Sequence, residues 1–221
     1  MSPTLLAVAH GTRSASGRRQ IRDLVGTIAR RRPDLDVRLS YVDVQRPHVA
    51  EVAAGVGDAV VVPLLLSAGY HVRVDIAEAV AGTGIPVAAT LGPDRVLLDS
   101  LTRNLPPADA VVLAAAGSAD PDWRASIHAM AAPLGAHVAY ASGSDPKVAD
   151  VVADLRRRGA RRIAIAAYLL ADGLFYRTLH RAGADFVTPP LCRDPALAGL
   201  VLRRYEFAGA KYSVAAEATT R

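Results

Sequence analysis

Short runs of valine, leucine and alanine alternate with helix-like stretches along the chain, and this alternation leaves few folds open. Apolar runs at 4–9, 37–44, 59–66 and 86–91 are brief and lack polar alternation. They read as strands buried on both faces, the habit of a parallel sheet. Between them, 17–32, 47–55, 71–81 and 94–104 carry helical spacing or charged faces. The order then returns. Strands are expected near 109–115, 136–141, 162–169 and 185–188, with helices near 121–132, 145–159, 174–183 and 194–206. Strands separated by helices imply right-handed βαβ units, so the expected fold class is α/β with parallel sheets of four strands each.

The second half also repeats the first in detail. LLAVAHGTRSAS (5–16) resembles VVLAAAGSADPD (111–122), and QRPHVAEV (45–52) resembles SDPKVADV (144–151). LLSAGYHVRV (65–74) resembles LLADGLFYRT (169–178), and LGPDRVLLDSL (91–101) resembles LCRDPALAGLV (191–201). All βαβ units look somewhat alike, but four matches in one order point to two similar lobes. The expected division is 1–105 and 106–207, hinged at Pro106-Pro107, with 208–221 as a frayed tail.

Composition narrows the function classes. Hydrophobic residues make up 51% of the 221 residues, enough for a real core. Cys192 is the single cysteine, which excludes disulfides and cysteine-based zinc sites and fits a reducing, cytoplasmic compartment. The N-terminal apolar run is too short for a signal peptide, and no run approaches a membrane span. The net charge is +5, and every basic residue except Lys147 and Lys211 is arginine. Arginine suits carboxylates and phosphates, because its planar fork pairs with them bidentately. Aromatics at 5% supply no stacking platform, so no nucleic-acid partner is expected. No G-x-G-x-x-G, P-loop or G-x-S-x-G motif is present, and Cys192 has no thiolate-activating neighbour motif.

Parallel sheets bind ligands beyond the carboxyl ends of their strands. In the first lobe, His10 follows the first strand, Asp43 closes the second, and His71 follows the third at the start of a helix. Two imidazoles and a carboxylate on one edge could hold a divalent iron, cobalt or nickel ion. The repeat acts as an internal control. Opposite His10, Asp43 and His71 stand Ala116, Ser142 and Phe175. If the three residues were needed to build the lobe, the second lobe should need them as well.

Other polar residues have plainer readings. Asp75, one turn beyond His71, could accept the second imidazole N–H and fix its tautomer, or simply be a surface carboxylate. Glu78 is a candidate of the same kind. His48 is read as a surface residue at a helix start, and His128, His137 and His180 as structural. Arg30-Arg31-Arg32 and Arg156-Arg157-Arg158 close matching helices, where the macrodipole favours cations.

AVAHGTR (7–13) and VPLLLSAGYHVRVDI (62–76) resemble the two signature segments of the sirohydrochlorin chelatases, the class II chelatases of siroheme and cobalamin synthesis. YVDVQRP (41–47) and LGPDRVL (91–97) resemble the family's second- and fourth-strand segments. The resemblance covers the first hundred residues strongly and the second lobe weakly. It implies two flavodoxin-like lobes facing a cleft that receives the macrocycle. It makes His10 and His71 the metal-handling histidines, and Asp43 the counterpart of a carboxylate that is glutamate in many relatives, one methylene longer. The implied activity is sirohydrochlorin ferrochelatase, inserting Fe2+ as substrate, with no tightly bound cofactor. The alternatives are a cobaltochelatase, a nickel chelatase, or a non-catalytic protein that binds metal or tetrapyrrole. Some cobalt-associated relatives carry a histidine-rich tail. This chain ends KYSVAAEATTR, so iron is the expected metal.

Metal insertion must remove two pyrrole N–H protons and strip water from the ion. One imidazole could take a proton while the other, with Asp43, holds the metal. Arg13, Arg46 and Arg73 flank these positions and could pair with the carboxylates of a sirohydrochlorin-type tetrapyrrole, or be solvated surface residues. Two lobes in one chain make a monomer the expected state.

Overall fold

The computed structural model describes residues 2–67 and 70–219, with the side chains of 70–73 and 211–219 outside the description. In the first unit, β1 (Thr4–Ala9) lies between β2 (Val37–Tyr41) and β3 (Ala59–Pro63), all parallel. The run expected as a fourth strand makes a single parallel bridge, Val61 with Val87. The Val61 N–H donates to Pro86 O at 2.9 Å and the Ala88 N–H to Val61 O at 2.8 Å. Proline has no N–H to extend such a ladder, so this sheet has three strands rather than four.

Each sheet face receives its own helices. Leu6, Val8 and Val61 pack with Val49 and Ala53 of α2 (Val49–Ala54), and with Ile76 of α3 (Tyr70–Ala79) and Val80 just beyond it. On α1 (Ala15–Arg31), Ile21, Leu24, Val25 and Ile28 are buried at i, i+3, i+4 and i+7, the stripe of a helix on a sheet. Ser14 caps α1, its hydroxyl accepting from the Gly17 N–H at 3.3 Å.

The second unit has the parallel order β5-β4-β6-β7: β4 (Ala110–Ala115) pairs with β5 (His137–Tyr140) and β6 (Ile163–Ala167), and β6 with the short β7 (Phe186–Val187). Its helices are α4 (Arg95–Asn104), α5 (Pro121–Ala131), α6 (Val148–Arg157) and α7 (Leu174–Leu179). Val112, Ala114, Ile163 and Ile165 are buried together with Val148, Val152 and Leu155 of α6. The α/β class and two-unit architecture expected from the sequence are present, with three and four strands.

The compact units do not coincide with the halves of the sequence repeat, since α4 groups with the second half and the chain after Asp194 with the first. One unit is Met1–Gly92 with Pro195–Arg221, and the other is Pro93–Asp194. The long α8 (Ala196–Thr219) packs on α1 and β3, with Leu197, Ala198, Leu200 and Val201 buried. Its Arg204 donates to Thr90 O and Leu91 O at 2.9 and 3.1 Å, and Tyr205 OH donates to Pro3 O at 2.5 Å. Helix α4 belongs to the second unit, where Arg103 pairs with Asp194 at 2.6 Å. The stretch expected as a tail from 208 is helical to Thr219. Among the described residues no helix is long and apolar enough to cross a membrane.

Two carboxylates clamp the amino end of β6. Asp109 accepts from the Arg161 and Arg162 N–H groups, both at 2.8 Å. Asp185 accepts from the Ile163 N–H at 2.7 Å and from Arg156 at 2.6 Å. Amide donation from Arg162 and Arg161 holds the Asp109 carboxyl below its ordinary range. Asp185 is lowered first by the Ile163 amide and then by Arg156. A depressed folded pKa means stability that is present above the ordinary value of about 3.9 and is lost as pH falls through the folded value. The double variant Asp109→Asn, Asp185→Asn should therefore be less stable than wild type at neutral pH, with the difference narrowing below about pH 4. Denaturant titrations followed by circular dichroism at both pH values check this.

Candidate functional site

Two loops, after β1 and after β2, build the part of the first sheet's carboxyl edge that bears His10 and Asp43. His10 follows β1 directly and is exposed. Strand β2 ends at Tyr41, so Asp43 stands in the loop beyond it, not within the strand as expected. That loop is laced to the first: the Val42 N–H donates to Ala9 O at 2.9 Å, and the Asp43 N–H to His10 O at 3.0 Å. His10 and Asp43 are thus neighbours through the backbone. The Asp43 side chain is exposed, with Oδ1 accepting from the Val44 N–H at 2.6 Å.

Gly11 explains why the histidine is followed by glycine. Its φ is +101°, and a Cβ there would fall inside the Asp43 carbonyl. The loops can approach this closely only because position 11 has no side chain. Gly117 repeats the arrangement in the second unit at φ +114°, against the Ser142 carbonyl. The Ser142 N–H likewise donates to Ala116 O at 2.9 Å. The bonds Arg46-Pro47 and Asp145-Pro146 are both cis, and Tyr41–His48 and Tyr140–Lys147 form matching bridges. The scaffold is duplicated down to its hydrogen bonds, while Ala116 and Ser142 replace His10 and Asp43.

Gln45 and Val44 were missed from the sequence. Gln45 Oε1 accepts from the Thr12 N–H at 2.9 Å, a second tie between the loops. In the second unit Ser144 Oγ takes the equivalent place, donating to Ser118 O at 2.9 Å. Val44 has φ +66°, alone in the positive region among the described non-glycine residues. A β-branched residue there costs about 1–3 kcal/mol. Its repeat counterpart is Gly143, at φ +65°. Setting Val44 opposite Gly143, three positions before the matched prolines, was the sequence signal available for it.

His71 and Arg73 lie in the first turns of α3, but their side chains fall outside the described residues. Asp75 and Glu78 are exposed farther along the same helix. Arg13 is exposed in the β1–α1 loop. Arg46 pairs with Glu51, a solvent-exposed ion pair of the kind that contributes little and leaves the guanidinium available to a stronger partner. Glu51 also accepts from the His48 N–H at 3.0 Å at the start of α2. Among the described side chains, which do not include that of His71, no three of histidine, cysteine, aspartate or glutamate converge. His128 and His137 are exposed, and His180 stands edge-on to Tyr176 at 5.0 Å. Of the arginine runs, Arg32 pairs with Asp34 and Glu206, and Arg156 binds Asp185 and carbonyls of residues 160, 161 and 183.

Chemically, the edge offers an imidazole and a carboxylate on adjacent, hydrogen-bonded loops, with a second histidine on the helix after β3. These donor types suit a borderline divalent transition metal, and an unhindered imidazole can also take a proton.

Comparison with known proteins bears on the fold and the family. The SirB structure from Bacillus subtilis with Fe3+ superposes with a TM-score of 0.80 at 20% identity, covering 96% of this chain and 98% of that one. The structure of CbiX described as the terminal enzyme of siroheme biosynthesis in denitrifying bacteria superposes at 0.66 and 20% identity, covering 93% and 99%. The sirohydrochlorin cobaltochelatase of Methanococcoides burtonii is 30% identical over 79 residues, which span 34% of this chain and 60% of the relative. The CbiX family model matches residues 4–107 and again 110–208, each close to one half of the internal repeat. With both halves matched, the chain belongs to the CbiX family, the sirohydrochlorin chelatases.

Proposed function

We propose that this protein inserts Fe2+ into sirohydrochlorin, with His10, His71 and Asp43 as the metal-handling residues. The observation that carries the reading is the asymmetry of the duplicated edge. Two units share the glycine turn, the loop hydrogen bonds and the proline register, yet only the first has His10 and Asp43 in them. A side chain that the scaffold does not require is free to serve chemistry.

In this reading one imidazole accepts the two pyrrole protons in turn, releasing the first to solvent before it takes the second, and the other, with Asp43, holds the incoming ion. The Asp43 carboxylate is already oriented by the Val44 amide. Arg13, Arg46 and Arg73 pair with substrate carboxylates. Arg46 would exchange Glu51 for the ligand, and the exposure of that pair keeps the exchange inexpensive.

Cobalt is the second reading, favoured by the name of the Methanococcoides relative and by a SirB structure in complex with cobalt. The donor types do not separate the metals, since selectivity rests on geometry and availability. Anaerobic absorbance assays with sirohydrochlorin and Fe2+, Co2+ or Ni2+ decide among them. The expected result is acceleration over the protein-free rate, largest with Fe2+. Fastest insertion of Co2+ would move the activity to cobaltochelatase. Stoichiometric binding without acceleration would make the protein a carrier.

A further inference from the structure

We propose that Val44 is a positioning residue for the tetrapyrrole, an apolar ledge beside His10 and Asp43 against which the macrocycle rests. The inference builds on the proposed chelatase function and concerns the organic substrate rather than the metal. Three observations carry it. Val44 holds φ +66°, a conformation β-branched residues avoid, and the duplicated loop meets the same geometry with Gly143 at φ +65°. The backbone therefore does not need valine. Nor does the core, because Val44 is 45% exposed. Its position is also specific: it follows Asp43, donates its N–H to the Asp43 carboxylate at 2.6 Å, and lies beside Gly11.

A strained, exposed isopropyl group next to two proposed metal-handling residues serves best where an apolar surface must meet it. A tetrapyrrole has polar carboxylate arms and apolar ring faces. The arginines suit the arms. Val44 suits a ring face.

The test uses the full chain, with Val44→Gly and Val44→Leu. Melting temperature, the Kd for metal-free sirohydrochlorin from fluorescence quenching, and KM for sirohydrochlorin and for the metal are measured on each. The expected result for Val44→Gly is a melting temperature equal to or above wild type. Its Kd and KM for sirohydrochlorin rise about tenfold, the scale of losing one partly covered apolar group. KM for the metal stays within about twofold, and Val44→Leu recovers tetrapyrrole binding. Unchanged sirohydrochlorin binding in Val44→Gly overturns the inference while leaving the chelatase reading intact. So does a melting temperature several degrees lower, because the side chain would then serve the fold. A wild-type protein that neither binds nor metallates sirohydrochlorin removes the function and the inference together.

Discussion

Replacing His10 with alanine should abolish most metal insertion while leaving the fold in place. A positioned acid–base group contributes about 10²–10⁴-fold to a rate, and His10→Ala should lose turnover on that scale whether His10 takes the proton or holds the ion. The expectation of an intact fold is independent of the functional reading. Ala116 holds the equivalent place after β4, and its carbonyl accepts from the Ser142 N–H as that of His10 does from Asp43. Alanine is therefore known to suit this backbone. His10 is exposed, and surface substitutions usually change stability by no more than about 0.5 kcal/mol. Anaerobic metallation rates and thermal melts on His10→Ala and on the double variant with His71→Ala check both halves. A folded double variant that inserts metal at the wild-type rate would remove both histidines from the mechanism.

Gly11→Ala should do the reverse, acting first on structure. The added methyl would meet the Asp43 carbonyl, and φ +101° is hostile to any side chain. The β1 and β2 loops must then separate, straining the Asp43–His10 hydrogen bond and displacing both residues. A cost of about 3 kcal/mol is expected, lowering the unfolding midpoint by roughly 6–12 °C. Gly57→Ala is the matched control: an added Cβ there meets nothing within 4 Å, and the backbone is not in the positive-φ region. It should melt at or slightly above wild type, since alanine restricts the unfolded chain. If Gly11→Ala melts with the control, the close approach of the two loops does not constrain this protein.

These two positions also mark how far local sequence could carry the reading. Continuous apolar runs predicted β1, β3, β4 and β6 closely, because a strand buried on both faces needs little else. The run at 86–91 satisfied the same pattern yet formed one bridge, because Pro86 cannot donate to a ladder. The apolar run places Asp43 at a strand end, whereas β2 stops at Tyr41, where the loop begins to bond with residues 9 and 10. Gln45 escaped notice because its role is one long-range hydrogen bond to Thr12, which no local spacing announces.

By itself the sequence determined the α/β class, the duplication and the asymmetry of its two edges. Those properties reside in hydrophobic periodicity and in residue identities at matched positions, both local. It also carried the family resemblance, since signature segments are contiguous. Only the tertiary structure decided which helix covers which sheet. An amphipathic stripe states that a helix must bury one face but not against what, so α4 groups with the second half and α8 with the first without any trace in their patterns. Only the structure, too, showed that Val44 adopts a glycine's backbone and that Gly11 admits the Asp43 carbonyl, because dihedral angles and close approaches arise from loops that meet in space.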